Sequence, residues 1–137
     1  MTEHSCRAAV LFCMDFRFHE ILGDFLVEEG LDRDRADVIR LAGAAKNLAR
    51  PADARDRESL YEMLQVSYDL HHARQFYLIN HEDCGAYGPE LIQDDVVELE
   101  VHRQDLRAAR DMCKGRFPDV EVIPCFAWLD GRVERVD

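Results

Sequence analysis

The stretch Ala8-Ala9-Val10-Leu11-Phe12-Cys13-Met14-Asp15-Phe16-Arg17 changes character at its middle. Five apolar residues in unbroken succession, without polar alternation, read as a strand buried on both faces, the pattern of the interior of a parallel sheet. Where that strand would end, a cysteine, an aspartate and an arginine follow at alternate positions, C-x-D-x-R. Downstream, Phe76 to Asn80 (FYLIN) repeats the apolar run and leads into His81-Glu82-Asp83-Cys84-Gly85. Two thiolates and an imidazole suit Zn²⁺, and three protein ligands leave the fourth tetrahedral position open, as in catalytic sites. Cys13, His81 and Cys84 are therefore the candidate metal ligands, with Asp15 and Arg17 beside them.

Working outward, Phe18, Ile21, Leu22, Phe25 and Leu26 fall at helical spacing, and Gly30 is placed to stop that helix. Val38 to Ala42 reads as a second strand. Ala44 to Arg55, with Asn47 and Pro51, reads as a polar loop long enough to act as a lid. Ser59 with Glu62 three residues on resembles a capping box, opening a helix with Leu60, Met63, Leu64, Ser67 and Tyr68 on one face. Gly85, Gly88 and Pro89 break the chain after the third strand. Asp94-Asp95 caps a helix that runs to about Lys114 with Leu99, Leu106, Ala109 and Cys113 inward. Val120 to Trp128 is a fourth strand, and Val133 to Val136 its antiparallel companion across a turn at Asp130-Gly131. Strands alternating with helices imply an α/β fold with a mainly parallel sheet and right-handed crossovers.

The 137 residues suit a single domain, 1–137, without linker or repeat. With 17 Lys and Arg against 28 Asp and Glu, the net charge of -11 repels phosphate backbones and argues against nucleic acid or an anionic membrane as partner. No apolar run approaches the roughly 20 residues of a membrane span, and Met1-Thr2-Glu3-His4 lacks the start of a signal peptide. A cytoplasmic protein is expected. Five cysteines, an odd number, point to reduced thiols rather than disulfides. Cys113 and Cys125 read as core residues and Cys6 as an ordinary thiol near the terminus. Among the histidines, His71 and His72 read as helix-end residues and His4, His19 and His102 as surface residues.

The paired C-x-D-x-R and H-x-x-C-G signatures, in this order and with this spacing, resemble those of the β-class carbonic anhydrases. Arg40-Leu41-Ala42-Gly43 resembles that family's R-N-A-G segment, and Val122 to Val133 its closing strand pair, so the likeness covers nearly the whole chain. The resemblance implies strand order 2-1-3-4 with an antiparallel edge strand 5, helices on both faces, one Zn²⁺ per chain and a homodimer or higher homo-oligomer. It implies a lyase, a carbonate dehydratase, that reversibly hydrates CO2 to bicarbonate through metal-activated water. Asp15, oriented by Arg17, would accept a hydrogen bond from that water. If the pair broke, Asp15 could instead become a fourth ligand, as in the closed form known in the family. Phe16, Gly43, Gly85 and Tyr87 would line the substrate pocket and Arg40 would brace the site or the subunit interface; the alternative readings are a generic salt bridge for Arg40 and, for Gly43 and Gly85, turns that need positive φ.

Three positions depart from the family pattern. Phe16 stands where a small residue is usual, Leu41 replaces the Asn of R-N-A-G, and Asn80 precedes His81 where Gly is typical, placing a side chain close to the ligand. A more apolar pocket suits CO2, and equally an analogue such as carbonyl sulfide or carbon disulfide. The same changes fit a catalytically silent zinc-binding or sensing protein, although such a protein has no need of the Asp15–Arg17 pair. A thiol phosphatase is disfavoured, because C-x5-R would require arginine at residue 19, which is His.

Overall fold

Ala8–Phe12 (β1) is buried at every position because it is flanked by strands on both edges and covered on both faces. The computed structural model describes residues 4–137; Met1–Glu3, part of the segment behind the signal-peptide expectation, lie outside them. A single turn of 3₁₀ helix, Phe16–Phe18, leads into α1 (His19–Glu28). Gly30, at φ 72°, ends that helix as expected, but a four-residue helix, α2 (Leu31–Asp34), follows at once. The chain continues through β2 (Ala36–Arg40), α3 (Lys46–Ala49), α4 (Ala54–Leu70), β3 (Gln75–His81), α5 (Asp95–Arg116), β4 (Glu121–Ala127) and β5 (Val133–Arg135).

The five strands lie in the order β2-β1-β3-β4-β5, parallel except for the antiparallel β4–β5 pair. Alternation along each strand sorts side chains onto two faces. Ala9, Leu11, Phe76 and Leu78 meet Leu48, Leu60, Leu64, Leu106 and Ala109 on one face. Val10, Phe12, Tyr77 and Ile79 meet Phe18, Leu22 and Phe25 on the other. The chain leaves β1 toward β2 and leaves β3 toward β4, so the loops after β1 and β3 diverge. A crevice opens between them at the carboxyl ends of the strands.

Several local expectations are corrected. The second strand starts two residues earlier than read, at Ala36. The segment 44–55 is not a lid: Ala44, Ala45 and Leu48 are fully buried, and α3 forms within it because Leu48 anchors in the core. Helix α4 begins five residues before Ser59, because Asp53 and Asp56 form a reciprocal capping box that outcompetes the Ser59–Glu62 pattern. Asp94 does cap α5, its side chain accepting from the Val97 amide, and that helix runs on to Arg116.

His102 and Cys6, both read as unexceptional, are buried. Cys113 and Cys125 are core thiols, each pushed up to about 12 chiefly by burial.

Candidate active site

Cys13 follows β1 and His81 ends β3, the neighbouring parallel strand, so the switch point brings both to one crevice. His81 shares a face with Tyr77 and Ile79. Its ring lies against Phe18 at 4.3 Å between centroids and stacks with Phe12 at 6.3 Å. A short turn then returns Cys84 to the same point. The Cys13 Sγ to Cys84 Sγ distance is 4.0 Å, and these two atoms and a His81 ring nitrogen all lie within 4.8 Å of one another. Tetrahedral zinc with 2.3 Å bonds to sulfur requires two thiolates about 3.8 Å apart, so the observed spacing fits.

The electrostatics fit the same ion. His81 Nδ1 donates to the Glu82 carbonyl at 2.7 Å, which leaves Nε2 as the lone-pair nitrogen; Nε2 is buried and makes no hydrogen bond to the described residues. A buried acceptor without a donor is costly unless something else is bound to it. The Cys13 thiol is pulled down, first by its hydrogen bond with Cys84 and further by His81 and the backbone at Gly43 and Asp15, against the opposing effect of burial. Cys84 is pushed up by the same contact.

Asp15 and Arg17 form the second layer. The Asp15 side chain caps the 3₁₀ turn by accepting from the Arg17 amide at 2.9 Å, and Arg17 donates back to its carboxylate through Nε and Nη2, the latter at 2.7 Å. Arg17 holds the Asp15 carboxyl down at about 2. Arg17 also donates to the Asp83 carbonyl at 2.9 Å and to its carboxylate at 3.1 Å, tying the C-x-D-x-R loop to the H-x-x-C turn. Asp83 adopts φ 57°, a conformation in which Asp is several-fold enriched, and this presents both of its acceptors to Arg17. Asp15 Oδ2 lies 3.9 Å from His81 Nε2 while still paired with Arg17, so the carboxylate borders the ligand cluster without being turned into it.

Arg40 clamps the loop from beneath. Its Nε donates to the Cys13 carbonyl at 2.8 Å and its Nη2 to the Asp15 carbonyl at 3.0 Å, while Nη1 contacts His19 Nδ1. A cavity of about 600 Å³ opens over Cys13 and Asp15, walled by Phe16, Arg17, Ala42 and Gly85. Gly85 has no positive φ and open space around it, so neither reason for glycine applies there. Gly43, at φ 84°, does need it, and a Cβ would come within 3.2 Å of Ala86.

Tyr87 is not on that cavity. Its ring is buried, and its hydroxyl donates to Asp105 at 2.8 Å and accepts from Asn80 Nδ2 at 2.8 Å. Asn80 points away from the ligands because it lies one residue from His81 on a strand, and so on the opposite face. Its Oδ1 accepts from the Ala45 amide at 3.0 Å and its Nδ2 also reaches His102 Nδ1 at 3.0 Å. Asp105, only 4% exposed, receives Arg50 through both carboxylate oxygens at 3.0 Å. His102 is drawn down to about 3 by burial and is neutral in this network. Asp105, His102 and Glu98, whose carboxylate accepts from the Asp83 amide at 2.8 Å, were missed in the sequence. The signal was the recurrence of 98, 102, 105, 106, 109 and 113 at helical spacing, hidden because three of these residues are polar.

A family model described as "Putative carbonic anhydrase" matches residues 3–137. The chain belongs to this carbonic anhydrase family. Its divergence from other members is deep. An uncharacterized protein of Rickettsia bellii is 27% identical over 139 residues, covering 98% of this chain and 84% of its own. Among solved structures, the carbonic anhydrase from Streptococcus mutans superposes with a TM-score of 0.66 at 19% identity, over 100% of this chain and 86% of that one. The apo form of a carbon disulfide hydrolase gives 0.62 at 14% identity, over 97% and 79%. The carbonic anhydrase fold, with its 2-1-3-4-5 sheet, is thus shared with enzymes of two substrates.

Proposed function

We propose that this family member is a zinc-dependent enzyme, a carbonate dehydratase, that reversibly hydrates CO2 to bicarbonate. The observation that carries the reading is the convergence of Cys13, His81 and Cys84 on one point bordered by an ionised carboxylate that Arg17 holds at its edge. Zinc held by these three residues would supply the Lewis acidity that makes water nucleophilic near neutral pH. Asp15 Oδ2 accepts a hydrogen bond from the attacking water and aims its lone pair. Arg17 keeps that carboxylate charged and away from the ligand position, and Arg40 fixes the backbone that carries Cys13 and Asp15. Phe16, Ala42 and Gly85 offer the cavity an apolar wall, suited to an uncharged linear substrate.

Stopped-flow CO2 hydration on zinc-loaded protein tests this directly. The rate is expected to rise with pH over roughly pH 6.5–9; no rate above buffer with zinc present would overturn the reading. The apolar wall favours one second reading, hydrolysis of a sulfur analogue of CO2, supported by the likeness to the carbon disulfide hydrolase.

The proposal includes one domain over 1–137 and a reducing, cytoplasmic setting that keeps both ligand thiols available. No helix among the described residues is long and apolar enough to cross a membrane. It also includes a homodimer or higher oligomer, supported by Met14 and Phe16, which stand 63% and 77% exposed at the mouth of the site. Light scattering after size exclusion is expected to give at least twice the chain mass, a monomer counting against it.

A further inference from the structure

At the opposite end of the sheet, roughly 20 Å from Cys13 along β1, a second set of metal-ligating side chains converges. Cys6 precedes β1, Asp37 is the second residue of β2, and His71 caps the carboxyl end of α4. Three elements of the fold therefore meet there through one side chain each. His71 Nδ1 lies 2.7 Å from Asp37 Oδ2, and Cys6 Sγ lies 3.7 Å from the same oxygen. The sulfur, the nitrogen and the carboxylate oxygen all fall within 4.8 Å of one another, as do the ligand atoms of the Cys13–His81–Cys84 cluster.

We propose that Cys6, Asp37 and His71 form a second divalent-metal site, for which zinc is the ion best suited to the donors. Thiolate, imidazole and carboxylate are the three ligand types of zinc, and a softer or harder donor set would favour copper(I) or magnesium. Ser67, one helical turn before His71, donates to Asp37 Oδ2 at 2.7 Å and would orient the carboxylate from behind, as outer partners of metal ligands do. A cavity of about 200 Å³ opens over the cluster, and His4 forms part of its wall with its ring 6.3 Å from that of His71. That imidazole is a further nitrogen donor beside the three ligands. Arg35 also faces this cavity; a thiolate and a carboxylate together outweigh its charge.

Binding is an exchange of protons for the ion. The Cys6 thiol releases its proton to solvent, the His71 proton moves from Nδ1 to Nε2, and Asp37 contributes an existing anion. The bound ion would add a cross-link between the segment before β1, the edge strand β2 and the end of α4, which are otherwise joined here by hydrogen bonds to Asp37 and by the Cys6 amide donating to the His71 carbonyl at 2.9 Å.

Zinc itself is the probe. Protein incubated with excess zinc sulfate and freed of unbound metal is measured by elemental analysis, for the wild type, Cys6→Ser/His71→Ala and Cys13→Ser/Cys84→Ser. Removing Cys6 and His71 is expected to lower the zinc content by one per chain, with the far-ultraviolet circular dichroism retained; an unchanged content overturns the proposal. Should that double variant fail to fold, Asp37→Asn decides instead, since it keeps the hydrogen bonds of Ser67 and His71 but is a poor ligand: loss of one zinc supports the site, and full content refutes it. The Cys13→Ser/Cys84→Ser variant reports separately on the active-site reading and is expected to retain the zinc at Cys6.

Discussion

Asp15→Asn is expected to keep its zinc and lose about 10²-fold or more in CO2 hydration, the scale of removing a positioned proton acceptor. The substitution is isosteric, so the 3₁₀ turn and the Cys13 loop persist. The amide, however, is neutral: it loses the charge-assisted bidentate pair with Arg17 and can present an N–H where the carboxylate presented a lone pair. Zinc content by elemental analysis beside the hydration rate separates the outcomes. Loss of the metal would make Asp15 a ligand in its own right, and an unchanged rate would remove it from the mechanism. The pH behaviour is distinctive as well. Because Asp15 is held at about 2, below its ordinary 3.8, its contribution to stability is present above the ordinary value and lost only as pH falls through about 2. The pair therefore stays ionised at neutral pH, and an inflection in rate there would report on the proposed zinc site rather than on Asp15.

Asp105→Ala is expected to destabilise the zinc-loaded protein by about 3 kcal/mol. The carboxylate is 4% exposed and serves two partners, the Tyr87 hydroxyl and the Arg50 guanidinium. Tyr87 is buried and would be left with a donor and no acceptor. Arg50 is 38% exposed and recovers part of its loss in water, which holds the total below that of a fully buried ion pair. Tyr87→Phe removes one hydroxyl and should cost only about 1 kcal/mol. Urea unfolding of the three proteins gives the comparison; a cost for Asp105→Ala within 1 kcal/mol of zero would show that the network is not a support. The effect reaches the site because Tyr87 closes the turn that carries Cys84, its amide donating to the Cys84 carbonyl at 3.1 Å.

Much of the architecture was legible because burial leaves a direct mark on sequence. β1 and β3 lie inside a parallel sheet and read as unbroken apolar runs, whereas β2, at the edge and only half-buried, was misplaced by two residues. The supposed lid shows the opposite failure. Its polar composition hid two small residues and a leucine, Ala44, Ala45 and Leu48, that the core takes in completely. The start of α4 was misjudged because two capping patterns competed, and only their three-dimensional surroundings select Asp53 over Ser59.

The candidate site divides in the same way. The ligand types and the Asp15–Arg17 pair are written in short spacings, since C-x-D-x-R and H-x-x-C are local and their chemistry follows from residue identity. What depends on long-range packing left no such trace. The Arg17–Asp83 contact spans 66 residues, the Arg50–Asp105 pair 55, and the Cys6–Asp37–His71 cluster joins three separate elements. Residue identity and periodicity specify which groups exist and which face they occupy. Which of them meet is settled by strand order and helix packing, because the energy of a polar contact depends on distances and burial that arise only when the chain closes on itself.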